Sequence, residues 1–158
     1  MKPAYNSLSR SFFIGLLLFS LLCTNYMVRA QDIAEKEVPP DVRKAFSKKY
    51  IEHSEAYWTI KNGVYVVSFK TGKDYLDACF STKGKWINTE RIIDFIALPK
   101  GVADSLHASH FGDWDVGNTY AVETPGKPTR FRVYVYSANW DELELNFEAQ
   151  GKIIVENP

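Results

Sequence analysis

A short segment near residue 40 is answered sixty residues later, and this internal repeat constrains the fold more than any other feature of the chain. Val38-Pro39-Pro40-Asp41-Val42 returns as Leu98-Pro99-Lys100-Gly101-Val102. Each copy continues with apolar or aromatic positions four apart, Val42, Phe46 and Tyr50 in the first and Val102, Leu106 and His110 in the second. This one-sided stripe predicts two amphipathic helices that open on proline, with Gly112 as a stop signal for the second. Residues 76–87 are answered by residues 143–154, each a strand, a glycine-containing turn and a strand. The offset there is 67, so the second copy carries about seven extra residues, expected in the Pro/Gly-rich segment 123–128.

Between these landmarks, Asn62-Gly63 lies between two β-rich runs and predicts a tight hairpin, because both residues tolerate the positive φ values of a type I′ turn. Each unit then reads as one helix followed by four strands. The expectation is an α+β fold, a tandem repeat in which two helices pack on one face of an about eight-stranded antiparallel sheet. Residues 31–37 are expected as a flexible N-terminal segment, 38–97 as unit 1 and 98–158 as unit 2, within one compact domain.

Strand alternation sorts the sheet faces. Leu76, Ala78 and Phe80, with Leu143, Leu145 and Phe147, should meet the helices, leaving Tyr75, Asp77, Cys79 and Glu142, Glu144, Asn146 outside. Aligning the repeats pairs Tyr65, Val67 and Phe69 with Arg132, Tyr134 and Tyr136, and groups Val64, Val66 and Ser68 with Phe131, Val133 and Val135. If the valine set is outer, the uncovered face is aliphatic at its centre with an acidic margin, a surface suited to a partner.

The first thirty residues read as an address. Lys2 and Arg10 precede an apolar run of about a dozen residues, and Val28-Arg29-Ala30 supplies the small residues of a cleavage site between Ala30 and Gln31. A lipoprotein anchored at Cys23 is opposed by Leu22, where a small residue is needed. The expected destination is the periplasm or beyond, with no membrane span after cleavage. Removing residues 1–30 takes away three basic and no acidic groups, leaving 16 basic against 19 acidic and a net charge of −3. Such a chain lacks the basic footprint of a nucleic-acid binder. It retains only Cys79, so no internal disulfide is available and stability must come from packing.

Tyr57-Trp58 before the Asn-Gly hairpin, Phe80-x-x-x-Gly84-Lys85-Trp86, Thr89-Glu90 and the second Leu98-Pro99 helix together resemble the PepSY-like family of exported bacterial proteins, also called beta-lactamase-inhibitor-like. The resemblance spans most of residues 38–156. It implies a fold like that of beta-lactamase inhibitory proteins and a small non-enzymatic domain that binds or inhibits another envelope protein, with no catalytic residues to carry over.

The residues offer no rival chemistry of comparable weight. No Gly-x-Ser-x-Gly, phosphate-binding loop, His-Glu-x-x-His or Cys-x-x-Cys motif is present, so no nucleophile and base can be paired for a hydrolase. Asp104, His107 and His110 are spaced for a metal, but the repeat places His110 in the core-facing stripe and His107 in solvent. The reading is therefore a binding module without cofactor or metal, acting on an unidentified envelope or secreted protein, with a periplasmic small-ligand or metal carrier as the alternative. Its expected contact residues are Val64, Val66, Tyr75, Asp77, Val133, Val135, Trp140, Glu142 and Glu144.

Overall fold

The computed structural model describes residues 31–154, so the predicted leader, its cleavage residue Ala30 and Cys23 lie outside the described residues. Asn62 and Gly63 take φ values of 52° and 74°, which turn β2 (Ser54–Lys61) back into β3 (Val64–Thr71) with Lys61 opposite Val64. The chain continues through β4 (Asp74–Ser81), β5 (Trp86–Ile93), β6 (Asp115–Glu123), β7 (Arg130–Tyr136), β8 (Glu142–Glu148) and β9 (Ile153–Ile154). With β1 (Gln31–Ile33) ahead of them, these strands make one nine-stranded sheet in chain order, each neighbouring pair antiparallel. Two helices, α1 (Pro40–Lys49) and α2 (Lys100–Ala108), interrupt the meander. Pro39 and Pro99 stand at their N-caps, where a missing backbone N–H costs nothing.

Both helices cover the same face. Val42 and Phe46 of α1 pack with Val67, Phe69, Ala78 and Phe80, while Val102 and Leu106 of α2 pack with Val133, Val135, Leu145 and Phe147. Strand β5 fixes their relation: Thr89 bonds the hydroxyl of Tyr50, just past α1, and Ile93 packs on the α2 cluster. Residues four apart in a strand point the same way, so the two cores lie side by side under one face. The turns at Gly84 and Gly151 press against the starts of the helices. A Cβ on Gly84 would stand 2.6 Å from the Asp41 carbonyl oxygen, and one on Gly151 2.1 Å from that of Gly101.

The structure corrects four expectations. Among the described residues the sheet has nine strands rather than about eight, because residues 31–37 hold β1 and a 3-10 turn where a flexible segment was expected. Ile33 explains it, since it pairs with Trp58 and packs on the first core. Val133 and Val135 are fully buried beneath α2, at 0% exposure, and leave the predicted contact set. Equating Tyr65 with Arg132 was one residue out of step with the pleat, and a one-residue slip exchanges the faces. The residues beside Tyr65, Val67 and Phe69 in type and burial are Phe131, Val133 and Val135. Finally, α2 ends at Ala108, so His110 falls outside the stripe and is exposed.

Candidate functional site

The face opposite the helices carries the even-numbered residues of β7 and β8 and is built from cross-strand rows. One row runs Tyr57, Ser68, Asp77, Glu90, Val122, Arg130 through successive register pairs, and a neighbouring one runs Thr59, Val66, Cys79, Asn88. Beyond Glu90, the pairs Tyr120 with Arg132, Tyr134 with Glu144 and Tyr136 with Glu142 complete it toward β8. Tyr57, Tyr75 and Ile92 are 67%, 56% and 52% exposed. Tyr75, Asp77, Glu90 and Ile92 border a shallow depression of about 170 Å³. Lys70 lies 4.7 Å from the centre of the Tyr75 ring and 2.7 Å from a Glu55 oxygen, so the edge of the depression carries a cation held in place.

Arg132 organises the centre. Its Nη1 donates to both Glu90 oxygens at 2.9 and 2.8 Å, and its Nε lies 3.0 Å from Glu144 Oε1. Asn146 Nδ2 donates to the same Glu144 oxygen at 2.9 Å, Tyr134 donates to Oε2 at 2.8 Å, and Tyr136 donates to Glu142 at 2.6 Å. Arg132 and Glu90 keep only a fifth of their side-chain surface exposed. Burial works against the guanidinium charge, but Glu90 and Glu144 outweigh it and raise the Arg132 pKa. Burial likewise opposes the Glu144 carboxylate, yet its bonds from Asn146 and Tyr134 and the charge of Arg132 leave its pKa lowered. Two carboxylates on one guanidinium make the network net negative.

The same surroundings raise the pKa of a phenol and a thiol on this face. Burial, then the bond to Glu144, push the Tyr134 phenol up to about 12. Burial, then the charges of Glu90 and Asp77, push the Cys79 thiol up to about 11. Both are protonated at neutral pH. Among the described residues no three His, Cys, Asp or Glu side chains converge as a metal site, and no helix is long and apolar enough to cross a membrane.

Of the predicted contact residues, Val64, Val66, Tyr75, Asp77, Glu142 and Glu144 share this outer face. Val64 and Val66 are half-buried, and Asp77, Glu142 and Glu144 are exposed. Trp140 stands apart in the turn before β8, 81% exposed at φ 66°, and Gln31 is the exposed first residue of β1. Sequence reasoning missed Glu90, Arg132, Tyr134, Tyr120 and Ile92. The signal for Arg132 and Tyr134 was present, since they alternate with the apolar trio Phe131, Val133, Val135 that belongs over a helix.

A family described as "Putative beta-lactamase-inhibitor-like, PepSY-like" matches residues 63–155. Among solved structures, a DUF2874 family protein from Bacteroides uniformis superposes with a TM-score of 0.70 at 24% identity, covering 74% of this chain and 86% of that one. A second DUF2874 family protein, from Bacteroides ovatus, gives 0.69 at 23%, covering 74% and 84%. A BLIP-like protein from Bacteroides fragilis gives 0.66 at 24%, covering 75% and 84%. These likenesses are of fold. Among curated proteins none matches.

Proposed function

The chain belongs to the PepSY-like, beta-lactamase-inhibitor-like family, and from that premise we propose that it is an exported, non-catalytic binding module that engages a protein of the cell envelope through its uncovered sheet face. The observation that carries this reading is the face itself: Tyr75 and Ile92 are half-exposed beside an ionic network already locked in one geometry by Arg132. A surface of exposed apolar groups around charges whose partners are fixed loses little conformational freedom on binding. The basic start, the apolar run and Ala30 support export, with Gln31 as the first residue after cleavage.

The two halves are read as tandem copies of one unit, with boundaries at 38–97 and 98–158. The spacing supports it: Val42 and Val102 are 60 apart, the paired residues Trp58 and Val67 correspond to the paired Thr119 and Val133 at 61 and 66, and Ala78 corresponds to Leu145 at 67. Five of the seven extra residues then fall in the loop between β6 and β7, one follows the helix and one enters the turn before β8.

The test is affinity capture from the source envelope with the protein and with a Val66→Asp, Tyr75→Asp, Ile92→Asp variant. Val133 is unsuitable for this purpose because it lies in the core. A protein retained by the native bait and lost on the folded variant supports the reading. Equal capture by both baits refutes the face assignment.

A further inference from the structure

Strands β4 and β5 part company in the middle of the sheet. Their pairing reaches Leu76 with Arg91, while β4 stays on β3 as far as Asp74 with Thr71, and β5 stays on β6 as far as Ile93 with Thr119. Tyr75 and Ile92 stand at this fork and border the depression on the outer face. Among the described residues three strands lie beyond β4 and four beyond β5, so the depression depends on neither edge of the sheet.

Its floor is acidic and its walls are not. Asp77 and Glu90 are directly opposite each other across β4 and β5, a position at which Cβ atoms stand about 5 Å apart and like charges repel. Glu90 meets Arg132, which it shares with Glu144. The Asp77 carboxylate is exposed and, among the described residues, has neither a hydrogen bond nor an ion pair. Lys70, over the Tyr75 ring, is taken by Glu55. Lys70 and Arg132 therefore stand against Glu55, Asp77, Glu90 and Glu144, a net charge of −2. Tyr75 and Ile92 add apolar surface beside these charges, around a volume of about 170 Å³. At the ~30 Å³ share of one liquid water, that is room for about five or six heavy atoms.

Charge and size together select the occupant. A second copy of this face brings the same negative charge and is repelled, and an anionic ligand meets the wrong sign. A divalent cation asks for about six or more oxygen ligands, where two carboxylates and apolar walls are present. An ammonium on an aliphatic stem satisfies both parts of the depression: the charge lies between Asp77 and Glu90, and the methylenes lie along Tyr75 and Ile92. Glu90 can still accept, because a carboxylate offers about four lone-pair sites and Arg132 uses two. We propose that the depression receives a basic side chain of the partner protein, lysine by its size, as the anchor of the interface, with Asp77 as the carboxylate that holds it. This rests on the binding-module reading and names the chemistry of the partner.

The probe is n-butylammonium, the lysine side chain without its backbone, titrated into the ¹⁵N-labelled protein, with n-butanol as the neutral control of the same length. The expected result is saturable binding at least about tenfold tighter for the amine, the factor that one charge-assisted hydrogen bond supplies. The largest shifts should fall on the amides of Tyr75, Asp77, Glu90 and Ile92. Asp77→Asn should weaken the amine about tenfold and leave the alcohol as it was. The same variant should keep the urea midpoint of the native protein, because no other side chain of the described residues pairs with this carboxylate. Equal binding of amine and alcohol, no saturation by about 100 mM, shifts centred elsewhere on the face, amine binding unchanged by Asp77→Asn, or a lowered urea midpoint for that variant each overturn the proposal. Envelope capture separates the two readings. Asp77→Lys sets a cation of the chain's own opposite Glu90, so a partner kept by this variant but lost on the face-charged one removes the anchor and leaves the binding module standing.

Discussion

Arg132 shows how one side chain sets the character of the uncovered face. It is four-fifths buried between Glu90 and Glu144, so deleting it strands two carboxylates. Arg132→Ala should therefore destabilise the protein by about 1–3 kcal/mol, between the values for exposed and buried pairs, measured by urea unfolding. The lowered pKa of Glu144 has a definite sign. A carboxylate with a folded pKa below its unfolded value contributes stability above the unfolded value, and that contribution is lost as pH falls through the folded one. Acid unfolding followed from pH 5 downward should thus be shallower in Glu144→Gln than in the native protein. Cys79 makes a third case: with its thiol near 11 rather than 9, about 100-fold less thiolate is present at pH 8. Its alkylation by iodoacetamide should be slower than in urea by about that factor.

At the scale of elements, the pleat decides which substitutions the fold tolerates. Val133 lies at 0% exposure over α2, whereas Val66 lies on the opposite face of the sheet and is half-buried. Val133→Asp should abolish cooperative unfolding because it buries an unpaired carboxylate, while Val66→Asp should leave a native circular dichroism spectrum. The helix starts impose a second restriction. Gly151 has φ 94° and no room for a Cβ before the Gly101 carbonyl, so Gly151→Ala should cost roughly 1–3 kcal/mol in urea unfolding, from backbone strain and displacement of α2 together.

For the whole molecule, β5 is the shared part. It pairs with β4 over Leu76–Phe80 and with β6 over Thr119–Glu123, and its Thr89 and Ile93 side chains reach the α1 side and the α2 core respectively. Urea unfolding should accordingly follow one transition in which tryptophan fluorescence and far-ultraviolet circular dichroism coincide, and Leu145→Ala should shift both signals equally. Much of this organisation was legible in the residues. The repeated Leu/Val-Pro opening and its four-residue stripe fixed where the helices start, and Asn62-Gly63 fixed a turn, because both are local: a missing N–H and a positive φ act within a few residues wherever the chain goes. Alternation also sorted β4 and β8 correctly, since Leu76, Ala78, Phe80 and Leu143, Leu145, Phe147 differ sharply from their neighbours in polarity. At β3 and β7 both faces carry apolar groups and alternation left the inner set open; Val64 and Val66 lie on the outer face, whereas a one-residue slip in aligning the second half put Val133 and Val135 there too, although they are buried. The addition of β1 to the sheet, the burial of Val133 and Val135, and the meeting of Glu90 with Arg132 depend on pairing across tens of residues. Those contacts are chosen by strand register and helix docking, which act only once the chain has closed, so the tertiary structure alone decided them.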